Sequence, residues 1–186
     1  MRRAACLALT AFALLALAAP AAHALEGEVL LVTVPKGYKI GYEKKAGNQI
    51  MTEMVPDGET VKAWTEMVTV QIFLNMRGTT PAQYRQRIQS MWSQACEGSE
   101  FAPVKEGEDG GYPTVTWLSK CPHNNATGKP ELTWMKAIQG RDSFYVVQKA
   151  YKFEPTAAQK TEWGAYLDSV NVCDTRRPER SCGAAR

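Results

Sequence analysis

The clearest alternation of apolar and polar side chains lies in residues 63–74. Counting by twos from Trp64 gives Trp64, Glu66, Val68, Val70, Ile72 and Leu74, while the other face reads Thr65, Met67, Thr69, Gln71 and Phe73. A period of two in a stretch rich in β-branched and aromatic residues predicts a half-buried strand, central in a sheet. Comparable runs predict strands over 28–34, 38–43, 49–55, 101–104, 114–121, 132–139 and 144–153. Pro35-Lys36-Gly37, residues 44–48, Pro56-Asp57-Gly58 and Gly140-Arg141-Asp142 supply turn chemistry between them, so the early strands should form a meander of hairpins.

The period changes twice. Thr80-Pro81-Ala82-Gln83 combines an N-cap, a proline at the first helical position and a capping box. Tyr84, Ile88, Met91, Trp92 and Ala95 then recur at the spacing of one helix face, and Gly98 is a stop signal. Thr156-Ala157-Ala158-Gln159 opens a second helix, with Trp163, Tyr166, Leu167 and Val170 as its apolar face. Residues 106–111 read as a solvated acidic turn with too few correctly spaced oxygens for a calcium loop, and 122–129 as a polar loop. The pattern therefore predicts an α+β fold. It should be an antiparallel sheet of about six to seven strands with two helices packed on one face.

The N-terminus adds a compartment. Met1-Arg2-Arg3 precedes an apolar run over 4–19, and Ala22-His23-Ala24 follows. A basic start, a short apolar run and a small-residue site predict a signal peptide over 1–24, cleaved after Ala24. The run is shorter than the roughly 20 residues of a membrane span. Residues 25–186 then form a single domain with a basic tail over 172–186. Cleavage removes Arg2 and Arg3 and no acid, so 22 basic and 19 acidic residues become 20 and 19. That near-neutral body lacks the basic field of a nucleic-acid binder, and no later stretch is apolar enough to span a membrane. The expected location is the periplasm, or the exterior after secretion.

An exported chain with four remaining cysteines predicts two disulfides. Of the three pairings, Cys96–Cys121 and Cys173–Cys182 each close a short loop and are preferred. The first, closing a loop of roughly 25 residues, would stabilise by about 3 kcal/mol on a chain-entropy model. The cysteine spacing fits no zinc pattern.

The element order and the turn Val34-Pro35-Lys36-Gly37-Tyr38 resemble the PsbP-like fold of photosystem II extrinsic subunits and bacterial envelope proteins. A long central strand, a mid-chain helix and a last helix over a final hairpin complete the likeness. It implies a non-catalytic accessory or binding role and carries over no functional residue. The chain also looks like other exported bacterial proteins.

Candidate chemistry is sparse. After cleavage His123 is the single histidine, and a Cys121–His123 thiol scheme requires Cys121 to be unbridged. Asn125-Ala126-Thr127 matches a glycosylation sequon by pattern alone. No phosphate loop and no C-x-x-C is present, and no cofactor or metal is expected. Three charges interrupt apolar faces: Glu66 among Trp64, Val68 and Val70; Lys136 among Leu132, Trp134 and Ile138; Lys149 among Tyr145, Val147 and Tyr151. They either emerge to solvent, form a buried ion pair, or line a small polar pocket. The leading expectation is an accessory or binding protein without catalysis, engaging an envelope protein or a small ligand. The alternatives are an exported hydrolase or transferase using carboxylates, such as Glu66 with Glu131 or Asp142, and a secreted inhibitor or host-facing factor.

Overall fold

The computed structural model describes residues 27–102, 105–125, 127–180 and 182. The expected signal peptide, residues 1–24, lies outside the described residues. The elements in chain order are β1 (Glu28–Leu31), β2 (Tyr38–Ala46), β3 (Gln49–Pro56), β4 (Glu66–Leu74), α1 (Pro81–Ala95), β5 (Glu100–Phe101), β6 (Lys105–Asp109), β7 (Tyr112–Asn124), β8 (Lys129–Gln139), β9 (Ser143–Tyr151), α2 (Ala157–Ser169) and β10 (Asn171–Asp174). The main sheet is antiparallel, with eight strands in the order β2-β3-β4-β9-β8-β7 and with β5 and β6 end to end along the outer side of β7. Both helices begin at the capping boxes read from the sequence, with Thr80 accepting from the Gln83 N–H and Thr156 from the Gln159 N–H.

The α+β class, the antiparallel sheet, both helices and the disulfide staples are as the pattern predicts, but the placement differs. The two helices take opposite faces rather than one. Successive strand residues point to opposite sides, so each strand carries two sets of partners. Val115, Trp117, Met135, Ala137, Phe144 and Val146 lie under Tyr84, Ile88 and Trp92 of α1. Val68, Val70, Ile138, Tyr145, Val147 and Tyr151 lie under Trp163 and Leu167 of α2. This explains why β9 is buried at eight of its nine positions, with only Gln148 half-buried.

Four further expectations differ from the structure. The first strand does not join the meander: β1 pairs with β10, Val29 opposite Cys173, in a separate two-stranded sheet. Residues 106–111 are not a free turn, because Lys105–Asp109 pairs with β7 and Gly110 and Gly111, both at positive φ, make the tight return to Tyr112. Trp64 stands before β4, beyond an isolated bridge between Thr60 and Ala63, and the strand proper starts at Glu66. The β7 strand also runs on through Asn124, into the stretch read as a loop.

Glu28 ties the small sheet to the large one. Its carboxylate accepts from the backbone N–H groups of Arg141, Asp142 and Ser143 and from the Tyr145 hydroxyl. It thus closes the β8–β9 turn from a strand more than a hundred residues earlier. Gly140 is required there for space: a Cβ would lie 2.6 Å from Glu28 Cδ and 2.8 Å from the Ser143 carbonyl oxygen. Beside it, Arg176 Nη2 bridges Asp142 at 2.6 Å and the buried Asp174 at 2.7 Å.

Gly140→Ala should cost about 1–3 kcal/mol by overpacking against the Glu28 carboxylate. Glu28→Ala should cost a similar amount by orphaning the turn donors. Because the same atoms are involved, the double variant should lose less than the sum. Urea unfolding of the four proteins measures this, and strictly additive losses would show that Glu28 and Gly140 do not share one site.

Candidate functional site

Of the three face-breaking charges, two meet. Lys149 of β9 and Glu66 of β4 sit on the α2 face, where Glu66 is register-paired with Tyr151 and Val68 with Lys149. Lys149 Nζ donates to Glu66 Oε2 at 2.6 Å and to the Tyr38 hydroxyl, which in turn donates to Glu66 Oε2 at 2.8 Å. Three rings close around the ammonium: Trp163 at 3.7 Å from its centroid, Tyr151 at 4.5 Å and Tyr38 at 4.7 Å. Lys149 is completely buried. Burial pulls its ammonium down to about 8, against the opposing pull of the Glu66 hydrogen bond and charge. The Tyr38 and Tyr151 hydroxyls are pushed up, first by burial and then by Glu66. With α2 seated over it, this cluster reads as an internal ion pair: a buried charge with its counter-charge, a hydroxyl and aromatic faces.

Lys136 of β8 goes elsewhere. Its Nζ donates to the carbonyls of Leu167 at 3.0 Å and Val170 at 2.7 Å and pairs with the Asp109 carboxylate. Those carbonyls end α2, where the helix leaves acceptors unpaired and carries partial negative charge. Lys136 is therefore a C-cap delivered from the sheet, and it also fixes the last residue of β6. The sequence marked both lysines as anomalies but could not say which would meet Glu66, because that depends on the register of β9 against β4.

The cysteines pair as Cys96–Cys121, with Cα atoms 5.8 Å apart, and Cys173–Cys182, with Cα atoms 4.8 Å apart. With Cys121 bridged, the Cys121–His123 thiol scheme has no nucleophile. The carboxylates of the hydrolase alternative are not brought together as a pair. Glu66 is held by Lys149, Glu131 by Asn124 Nδ2 at 2.8 Å, and Asp142 by Arg176 and Arg77.

Three concavities gather at the end of the sheet where β8 begins, and a smaller one of 70 Å³ lies apart on the β2–β3 hairpin. A hollow of 270 Å³ lies between the α1 terminus and β8, walled by Met91, Trp92, Ala95 and the Cys96–Cys121 bridge, with Asn124 and Glu131 at its rim. A second, of 190 Å³, lies on the other side of Cys121, between Gly98, Pro122 and Phe153 and fronted by Pro130, Glu131 and Leu132. A third and wider groove of 470 Å³ is lined by Lys62, Trp64, Thr65, Thr127, Lys129 and Lys152. The first four residues of β8, Lys129 to Leu132, thus border all three. This surface is not legible in the sequence because it is assembled from separate segments of the chain. Its single local signal was Trp64, which reads as part of a strand until the strand is seen to start later. Among the described residues no group of three or more His, Cys, Asp or Glu side chains could hold a metal, and no helix is long and apolar enough to cross a membrane.

No protein-family model and no curated protein sequence matches the chain. Among solved structures it is similar to PsbP (CyanoP) from Synechocystis, with 12% identity over 84% of this chain and 98% of that one and a TM-score of 0.49. It is also similar to LpqN, involved in cell envelope biogenesis of Mycobacterium tuberculosis, with 11% identity, 81% and 87% coverage and a TM-score of 0.46. The Ran-binding protein Mog1p of Saccharomyces cerevisiae is a third, with 13% identity, 75% and 82% coverage and a TM-score of 0.47. A PsbP structure thus stands among the structural neighbours.

Lys149→Ala should destabilise by about 3–5 kcal/mol, since it strands Glu66 and empties the ring-lined space. Lys149→Met should cost less because it refills that space. In the parent, the lowered Lys149 pKa means that the unfolded chain binds more protons than the folded one between about 8 and the ordinary lysine value of 10.5. Stability from this group should therefore rise with pH across that window, and the raised Tyr38 and Tyr151 values should reverse the trend above pH 10. Urea unfolding from pH 7 to 11 measures both limbs. A flat parent curve, or an equal rise in Lys149→Met, would remove Lys149 as the origin.

Proposed function

We propose that the protein is an exported, non-catalytic accessory protein of the cell envelope that binds its partner at the end of the sheet where β8 begins. The observation that carries this reading is the convergence of three hollows on residues Lys129 to Leu132. Pockets with apolar walls and a few polar rim groups are the usual form of a recognition site. Here the apolar anchors are Met91, which is exposed, and Trp92, half-buried beside the Cys96–Cys121 bridge. The disulfide fastens the end of α1 to β7, so the surface is held in shape before anything binds, which lowers the ordering cost of association. The buried charges support a structural role, because Lys149, Glu66 and Lys136 are each satisfied internally.

Photo-crosslinking residues placed at Met91 and at Lys129 in the exporting cell should trap one common partner or ligand. The same residue at Lys44, on the exposed outer strand β2, should not. Trapping at Lys44 with none at Met91 or Lys129 would move the working surface to the other edge of the sheet. Recovery of a turned-over substrate with the purified protein would replace the accessory reading by an enzymatic one.

A further inference from the structure

The α1 helix is loosely held along its length. Among the described residues no side chain of Pro81–Ala95 makes a hydrogen bond to the sheet, and its ion pair, Arg85 Nη2 with Glu106, is long at 3.8 Å. Its apolar contact is incomplete, because Tyr84, Ile88 and Trp92 are half-buried and Met91 is exposed. The surface beneath it also carries a penalty. Trp117, Ser119 and Cys121 alternate on one side of β7, where Trp117 meets the Tyr84 ring and Cys121 is bonded to Cys96. Trp117 Nε1 and the Ser119 hydroxyl are shut off from water with no hydrogen-bond partner, as is Arg85 Nε on the helix. An orphaned polar atom is a cost of the closed arrangement that disappears once water reaches it.

The two ends of the helix are fastened differently. At its start Pro81 is buried, and Gln139 donates to the Arg77 carbonyl at 3.2 Å. The chain arrives there through Asn75, at a φ of 61°, and Gly78, whose Cβ position is open space. At its far end the fastening is the Cys96–Cys121 bond, followed by Gly98 at positive φ and a return to β7 through the two residues of β5. One end is built as a pivot and the other as a covalent catch.

We propose that α1 is a strap and that Cys96–Cys121 is its redox latch: when the bond is reduced, the helix swings from the sheet about residues 75–80 and opens the 270 Å³ hollow walled by its last turns. The reductant is a dithiol. Its thiolate attacks the Cys121 sulfur, which borders hollows on two sides. The S–S bond breaks, its electron pair goes to the Cys96 sulfur, and that sulfur takes a proton. The second thiol of the donor then resolves the mixed disulfide, leaving Cys121 as a thiol and the donor oxidised. Before reduction the crosslink restricts the open ensemble, and the ring contacts of Tyr84 with Phe144 and Trp117 keep the helix seated. After reduction those contacts stand alone against three orphaned polar atoms. The inference concerns the helix itself and does not depend on what the hollow binds.

The test is amide hydrogen exchange followed by mass spectrometry on the purified protein with both bonds formed, on Cys96→Ala/Cys121→Ala and on Cys173→Ala/Cys182→Ala. Loss of the first bond should accelerate exchange in α1 by about tenfold or more, with smaller changes in β8, β9 and α2. Trypsin should then cut first after Arg85 or Arg87. Loss of the second bond should leave α1 as in the parent. Dithiothreitol added to the parent should reproduce the first variant, and reoxidation should restore protection. Placed in the Cys96→Ala/Cys121→Ala background, Ser119→Ala should slow α1 exchange about threefold, because it removes an orphaned hydroxyl from the closed arrangement alone. Unchanged α1 exchange without the first bond would overturn the inference. So would equal acceleration in α1, α2 and β9, a bond that resists the dithiol, or faster α1 exchange in Ser119→Ala. Trapping at Met91 in the oxidised protein is a separate readout, so the two proposals fall separately.

Discussion

The structure depends on two ammonium groups buried on one face of the sheet. The α2 helix offers little apolar surface, with Trp163 and Leu167 its only fully buried residues. What fixes it is charge placed underneath. Lys149 holds Trp163 by its ring face, and Lys136 holds the C-terminal carbonyls of Leu167 and Val170. Burying an ammonium costs several kcal/mol, which geometry must offset. Both lysines meet the requirement fully, one with a carboxylate, a hydroxyl and three rings, the other with two carbonyls and a carboxylate. The gain is positional: a helix of weak apolar content cannot slide or rotate without uncovering a charge.

The opposite face is built on different physics. There α1 lies on Trp117, Phe144 and Phe73 through Tyr84, with ring centroids 5.1 to 6.4 Å apart. Among its own residues only Pro81 is fully buried. The covalent bond at Cys96 holds its far end, where the helix side chains pack least. Electrostatics thus secures one helix and a disulfide the other, and two of the hollows open beside the disulfide.

What the sequence revealed was mostly local. Both capping boxes, the alternation in β4 and β9 and the short-range disulfides depend on residues near one another in the chain, and each appeared as read. The misread features are local at the β6–β7 hairpin and at the start of β4, and long-range elsewhere. The pairing of β1 with β10 and the closing of the β8–β9 turn by Glu28 link residues more than a hundred positions apart. The face chosen by α1 depends on β7 and β8, which the chain has not yet formed when the helix is read. Residues 105–109 have no strand character of their own; they are extended because β7 supplies partners and Lys136 anchors Asp109. The ion pair was legible as two charges on apolar faces, but the groove at Trp64 was not, since its lysines come from three separate segments.

The rims of the main sheet have a consequence for sheet extension. An unpaired strand edge is a template on which a second chain can extend a sheet. Along one rim, β2 carries Lys39, Lys44 and Lys45 and is broken by a register shift at Gly41, where a Cβ would press on Val61 at 2.9 Å. Along the other, β7 is covered by two short pieces, β5 and β6, rather than by one continuous strand. Neither rim offers a long, flat, regular row of donors and acceptors. A second chain would therefore find no ready-made template for a continuous backbone ladder along either rim of the main sheet, and residues on the faces and in the hollows can be exchanged without rebuilding it.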